Sequence, residues 1–473
     1  MVSMKNPCVL VFLCHLAFIS SVTSTGNCSS GTIDGSETWG YVEVRPGAHM
    51  FWWLYKSPNK PKQPTKPWPT ILWLHGIPDE SAAGNGNFGA IGPLDVDLKS
   101  RNSTWLQKAD LLFVDSPVGT GYSYVEDGSL FVNTDLEAAT DVITLLKEIY
   151  NGNKTIESRS LYIFAESYGG KSAVPTALAI LQAIKNGELN LQLEGVALGD
   201  SWISAEDYVL SWGPLLKDVS RIDDVALNRS NSIALKIQQH IADGQYEEAA
   251  YSWFDLMKDI YESSNNVDFF NFMLDDGYTD QTSLKTKASR ILGKKSYDMV
   301  SEANATDLYS VMNNQIRQKL KIIPSDLEWG EQDVYAYFSM VYEYMRPRIA
   351  EVDELLLTGV NVTVFNGQLD LVCATKGTEA WIKKLKWDGL SEYMNLNRTP
   401  LYCGEDKSTT KGFYKSYQNF AFYWILGAGH YVSICLQLFM SLEPKKPSPV
   451  KKSIGQTVCS VWFNEFFILI KNY

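Results

Sequence analysis

Histidine and cysteine are both scarce in this chain, with five and seven among 473 residues. The cysteines form no Cys-x-x-Cys pair, and no cysteine and histidine spacing points to a metal site, so neither a metal nor a cofactor is expected. Basic residues are outnumbered, 42 Lys and Arg against 54 Asp and Glu, for a formal net charge of -12. A chain without a basic excess lacks the face that nucleic acid or an anionic membrane surface requires. No low-complexity tract interrupts it. No apolar run reaches the roughly 20 residues of a membrane-spanning helix.

The N-terminal segment 1–24 instead has Lys5, then the apolar Val9-Leu10-Val11-Phe12-Leu13-Cys14, then small residues ending in Val22-Thr23-Ser24. That is the pattern of a signal peptide. Seven Asn-x-Ser/Thr acceptor sites, at Asn27, Asn102, Asn153, Asn228, Asn304, Asn361 and Asn397, fit a chain entering the secretory route, secreted or lysosomal, and each predicts a surface loop. Removal of the leader leaves Cys28, Cys373, Cys403, Cys435 and Cys459, an odd number, with Cys373 and Cys403 as the candidate pair for one bridge.

Hydrophobic residues make up 45% and aromatics 12%, enough to bury a large core in one big domain with an insertion, or in two domains. Apolar β-rich runs at Thr70–Leu74, Leu111–Val114, Leu161–Phe164, Leu193–Leu198 and Val360–Phe365 alternate with helical patterns at Asp135–Tyr150 and Lys171–Lys185. Such alternation predicts an α/β protein with a parallel sheet and crossover helices. From Ala205 to Ile323 the periodicity turns helical and polar, clearest over Ser232–Asp259, and this block is expected to be a cap inserted over the sheet. The expected organisation is therefore core at 25–204, cap at 205–323, core again at 324–437 and a divergent, poorly ordered tail at 438–473.

The run Leu161-Tyr162-Ile163-Phe164-Ala165-Glu166-Ser167-Tyr168-Gly169-Gly170-Lys171 is a strand entering a small-x-Ser-x-Gly turn and then a helix. This is the pattern of a nucleophile elbow, in which small neighbours let the chain turn sharply and hold the serine hydroxyl out from the sheet edge. Ser167 needs a base and an orienting acid. The strand-like run Val360–Phe365 leads to Asp370 at a turn, and Ala421–His430 closes on Gly427-Ala428-Gly429-His430. Ser167, Asp370 and His430 stand in the chain order of the α/β-hydrolase triad. Of the other histidines, His15 lies in the leader, His49 precedes an aromatic strand and His240 sits in a polar helical stretch. Only His75 shares the glycine-flanked strand-end setting of His430.

These segments resemble the serine carboxypeptidases, most closely the retinoid-inducible branch. The likeness extends through Phe51-Trp52-Trp53-Leu54-Tyr55, Gly89-Ala90-Ile91-Gly92-Pro93, Asp115-Ser116-Pro117-Val118-Gly119-Thr120-Gly121-Tyr122, Gly199-Asp200-Ser201-Trp202 and Lys321-Ile322-Ile323-Pro324, and fails after His430. The resemblance implies an α/β-hydrolase fold with a helical cap and release of C-terminal residues from peptides or proteins through an acyl-enzyme on Ser167. An impaired homologue acting as a binding protein, and an esterase or acyltransferase using the same triad, are the alternatives. By the same resemblance the backbone N–H groups of Ile77 and Tyr168 form the oxyanion hole, and His75, Gly76 and Glu166 meet the substrate carboxylate. Three positions depart from the family pattern: Ile77 replaces a glycine, His75 an Asn or Gln, and Ala90 the glutamate expected to share a proton with Glu166. A charged His75 at acidic pH is then expected to attract the carboxylate in place of the missing carboxyl.

Overall fold

The computed structural model describes residues 28–61, 67–76, 80–152, 160–275, 308–402 and 409–432. The leader at 1–24, Ile77, Cys403 and the tail at 438–473 lie outside them. Twelve strands form one mixed sheet among the described residues, in the order β1-β2-β3-β5-β4-β7-β8-β9-β12-β11-β10, with β6 (Tyr124–Val125) paired to β3.

The centre of the sheet is parallel: β5 (Asp110–Val114), β4 (Pro69–Leu74), β7 (Ser160–Glu166), β8 (Gln192–Gly199), β9 (Asn361–Gly367) and β12 (Phe420–Ile425). All five strand runs read from the sequence lie in this parallel centre. Strands buried on both faces have no polar face to show, which is why these segments read as continuous apolar runs. The flanks are antiparallel, with β1 (Cys28–Gly31), β2 (Glu37–Arg45) and β3 (Ala48–Tyr55) on one side and β10 (Thr399–Tyr402) with β11 (Thr410–Tyr417) on the other. The sheet is thus an α/β-hydrolase-type mixed sheet rather than a wholly parallel one.

Each face carries its own core, as alternate side chains of a strand point to opposite sides. Trp52, Leu72, Ile163 and Leu198 pack on one face beneath α1 (Asp135–Lys147) and α2 (Tyr168–Lys185). Trp53, Trp73, Phe164 and Phe365 pack on the other, with Phe88 from the wide π-type helix Ala82–Ile91. Three helices follow β8: α3 (Ala205–Asp218), α4 (Asp224–Ala242) and α5 (Tyr246–Ser264). The amphipathic stretch Ser232–Asp259 is therefore two helices and not one. Gly244 at φ +73° provides the left-handed turn between them, a backbone state that glycine enters without a Cβ penalty. Among the described residues no helix is long and apolar enough to cross a membrane.

The first turn of α2, directly after Ser167, is tied down by a buried ionic cluster. Asp135 on α1 accepts hydrogen bonds from Tyr168 Oη at 2.8 Å and Ser172 Oγ at 3.1 Å, and pairs with Lys171 Nζ and Arg348 Nη2, both at 3.0 Å. Burial alone would push the Asp135 carboxyl up, but Lys171 and Arg348 together hold it below its ordinary value. Removing one partner of a buried ion cluster leaves the others charged and unpaired. Asp135→Ala is therefore expected to lower unfolding stability by about 3–5 kcal/mol. Urea denaturation at neutral pH measures it, and a loss below about 1 kcal/mol would show that Lys171 and Arg348 find other partners.

Candidate active site

Parallel strands deliver their C-terminal ends to one edge of the sheet, and the chemically active residues collect there. His75 and Gly76 follow β4, Glu166 ends β7 with Ser167 directly after it, Asp200 follows β8, Asp370 follows β9 and His430 follows β12. Ser167 sits at φ 60° and ψ -130°, a conformation that costs a non-glycine residue about 1–3 kcal/mol. Packing and backbone bonds enforce it: Ser167 N–H donates to Gly199 O at 2.9 Å, and Ser167 O accepts from Gly170 N–H at 3.1 Å and Trp202 N–H at 3.0 Å. A Cβ on Gly169 would lie 2.6 Å from Leu74 O, so the elbow turns against the backbone of β4 only because that residue has no side chain.

Asp370 and His430 are brought together. His430 Nδ1 lies 2.8 Å from Asp370 Oδ2, with both side chains buried. Asp370 also accepts from the Cys373 N–H at 3.2 Å. Their two loops meet backbone to backbone, with Leu369 N–H donating to Ala428 O at 2.7 Å. A Cβ on Gly367 would lie 2.1 Å from Gly429 O. His430 Nε2 is buried and has no hydrogen-bond partner among the described residues, so the contact between Ser167 and His430 is not closed. Nucleophile–base hydrogen bonds are commonly long before substrate arrives. Tyr168 opens α2, so its N–H has no intrahelical acceptor and is free for an oxyanion. The other expected donor, Ile77, lies outside the described residues.

Two contributors were not read from the sequence. The segment after α5 reaches back to the loops of Asp370 and His430: Phe270 O accepts from His430 N–H at 2.8 Å, and the two rings are 5.1 Å apart. Phe269 O accepts from Leu371 N–H at 3.1 Å and Val372 N–H at 3.0 Å. The aromatic run Phe269-Phe270-Asn271-Phe272, set inside a polar helical block, was the available signal. Glu80 is the second. It is buried against Gly76, its Oε2 lies 3.9 Å from His75 Nε2, and its Oε1 accepts from Tyr431 Oη at 3.5 Å.

His75 differs from expectation in its charge. Trp73 Nε1–H, which can only donate, points at His75 Nδ1 at 3.1 Å, so Nδ1 is an acceptor and the ring proton sits on Nε2. Burial, with the nearby His430 adding to it, lowers the imidazole to about 3. The residue stands among the predicted site residues as a neutral N–H donor, not as a cation. Ala90 is likewise buried, on the face that carries Trp73 and Phe164.

The expected Cys373–Cys403 bridge is corrected: Cys373 is a free, buried thiol. Burial, with Asp370 and Asp200 beside it, pushes the thiol well above its ordinary value. Asp370, Cys373 and His430 offer ligand atoms within 4.8 Å of one another, enough to hold a metal ion. Burial and the two neighbouring carboxyls disfavour the thiolate form that ligation would use. Of the glycan acceptors, Asn102, Asn228 and Asn397 are exposed, although Asn228 lies on α4 and not in a loop. Asn361 is on β9, half-buried, with its amide donating to Glu194 O at 3.4 Å, so it is no surface loop.

The sequence matches the family described as serine carboxypeptidase, peptidase S10, over residues 29–436. It is similar to serine carboxypeptidase-like 51 of Arabidopsis thaliana, with 52% identity over 454 residues covering 92% of this chain and 98% of that protein. Similarity to the retinoid-inducible serine carboxypeptidase of Mus musculus is 42% over 426 residues, 90% of this chain and 94% of the relative. Among solved structures, Kex1, a prohormone-processing carboxypeptidase from Saccharomyces cerevisiae, superposes with a TM-score of 0.70 at 22% identity. That match covers 87% of this chain and 92% of the other and bears on the fold.

A histidine kept neutral in the fold but free to protonate when unfolded makes the protein less stable as pH falls from about 6.5 toward about 3. His75→Gln removes that group while keeping a side-chain N–H donor. Its melting temperature relative to the native protein should therefore rise progressively as pH drops through this window. A difference that stays constant with pH would mean that His75 already carries a proton in the native state.

Proposed function

Because the chain belongs to the serine carboxypeptidase family, we propose that Ser167, His430 and Asp370 carry its hydrolysis of peptides from the C-terminal end. The protein is a serine-type carboxypeptidase, a hydrolase on an α/β-hydrolase fold. The observation that carries the assignment of roles is the 2.8 Å contact between His430 Nδ1 and Asp370 Oδ2 beneath an imidazole whose Nε2 is unengaged.

In this reading His430 Nε2 takes the Ser167 hydroxyl proton as Oγ attacks the scissile carbonyl. The Asp370 carboxylate accepts from Nδ1–H, holds the ring in the productive tautomer and stabilises the imidazolium. Oxyanion charge falls to the N–H groups of Tyr168 and Ile77, where one donor contributes about 3 kcal/mol. His430 returns the proton to the departing amine, leaving an acyl-enzyme on Ser167. A water deprotonated by the same nitrogen then releases the shortened peptide. Neutral His75 offers Nε2–H to the substrate carboxylate beside Gly76 and Glu166. A neutral donor gives a free-acid preference that does not titrate with His75.

The helical insertion after β8 is read as a cap, supported by the contacts of Phe269 and Phe270 with the Asp370 and His430 loops. Entry to the secretory route, with a secreted or lysosomal destination, is supported by the leader pattern at 1–24 and the exposed acceptors Asn102, Asn228 and Asn397.

Ser167→Ala is expected to abolish fluorophosphonate labelling and to lower kcat by about 10⁴-fold or more, with His430→Ala close behind and Asp370→Asn keeping a weaker residue of activity. The assay uses matched peptides with free and amidated C-termini, and cleavage of the free acid alone is expected. Undiminished labelling of Ser167→Ala would remove the serine from its role. Equal cleavage of the amide would remove His75, Gly76 and Glu166 from theirs.

A further inference from the structure

Behind the triad carboxylate lies a second carboxyl, Asp200, at the end of β8 and fully buried. Its hydrogen bonds determine which oxygen can carry a proton. Asn366 Nδ2 lies 2.7 Å from Cys373 O, a carbonyl that can only accept, so the amide orientation is settled. The same NH2 group donates to Asp200 Oδ1 at 2.9 Å, and Gly367 N–H donates to that oxygen at 2.8 Å. Oδ1 is thus an acceptor twice over. Among the described residues no group donates to Oδ2. Asn366 and Gly367 thereby tie Asp200 to the turn that carries Asp370 and Cys373, and the Asp370 charge helps to hold the Asp200 carboxyl above its ordinary range.

Two ionised carboxylates cannot face each other in a buried site without a cation between them, and one proton relieves the repulsion. Asp370 accepts from His430 Nδ1 and Cys373 N–H and is the member suited to the charge. We propose that Asp200 retains a proton on Oδ2 and donates it to Asp370, which makes Asp200 a positioning residue that holds the triad carboxylate in register with His430. This rests on the assignment of Asp370 to the triad. The titratable groups facing Asp200 are Asp370 and Cys373 from the loop after β9 and Glu166 from β7, with His430 beyond Asp370. Burial first, then Asp370 and Glu166, holds its carboxyl well above the ordinary range. Loss of the proton at alkaline pH would set two anions against each other and displace Asp370.

An asparagine at this position reproduces the protonated acid: its carbonyl accepts from Asn366 and Gly367, and its NH2 donates to Asp370. Asp200→Asn should hold kcat within about threefold of the native enzyme, whereas Asp200→Ala should lose about 10–100-fold in kcat with little change in KM. The alkaline limb of the kcat profile should also move to higher pH in Asp200→Asn, which has no proton to lose. The infrared difference spectrum of native minus Asp200→Asn at pH 7 should contain a protonated-carboxyl C=O band that shifts in D2O. That measurement decides the matter even where Asp200→Ala fails to fold. Absence of the band, or a folded Asp200→Asn as impaired as Asp200→Ala, would overturn the proposal. Retained hydrolysis by Ser167→Ala would instead overturn the triad assignment and leave the infrared result to stand for Asp200 by itself.

Discussion

The site depends on one backbone conformation, the left-handed turn at Ser167. A serine held there is strained, and the strain persists only because neighbouring structure determines it several times over. The strand end at Gly199 and the loop at Trp202 take up its backbone groups, and the absent side chain at Gly169 lets the turn press on β4. Beneath it, Asp135 anchors Tyr168, Lys171 and Ser172 in the first turn of the following helix. A serine hydroxyl presented in this way has its orientation settled by the sheet and not by its own rotamer alone, which suits the proposed nucleophile.

The same sheet edge separates two kinds of buried charge. Around Asp135, cations from α2 and from Arg348 neutralise the carboxylate and make a rigid mount. Asp370 instead accepts from an imidazole and a backbone N–H, and the nearest second carboxyl, Asp200, is tied to the same turn through Asn366 and Gly367. A catalytic carboxylate locked to a lysine or arginine would have less of its field available to the imidazolium that forms during reaction. With no lysine or arginine among its partners in the described residues, Asp370 keeps its field directed at His430, as the proposed triad requires. The Phe269 and Phe270 carbonyls, brought from the far side of the helical insertion, steady both loops.

Much of this was legible in the chain because the relevant signals are local. The five apolar runs read as strands are strands, since parallel strands buried on both faces leave a continuous apolar signature. The order of Ser167, Asp370 and His430 followed from turn chemistry at strand ends. The expectations that failed needed knowledge of neighbours. His75 was read as a strand-end imidazole charged at acidic pH, whereas burial and the nearby His430 disfavour the cation and Trp73 donates to its Nδ1. Cys373 was offered as half of a bridge and is a lone thiol beside the triad acid. Glu80 carries no motif, and although Asp200 and Phe270 lie in recognisable runs, nothing in the spacing says that they approach the site.

What the sequence by itself determined is therefore the family and its local framework: a strand–turn–helix around Ser167, Asp370 and His430 after later strands, and a core large enough to hold them. Those properties are set within a few residues of chain, where sterics and periodicity act. The tertiary structure alone decided the protonation and pairing of the groups around them. Which histidine stays neutral, which carboxyl faces another and which carbonyl receives the His430 N–H all depend on dielectric and on partners tens to hundreds of residues away. Burial sets those quantities, and burial belongs to the packed molecule.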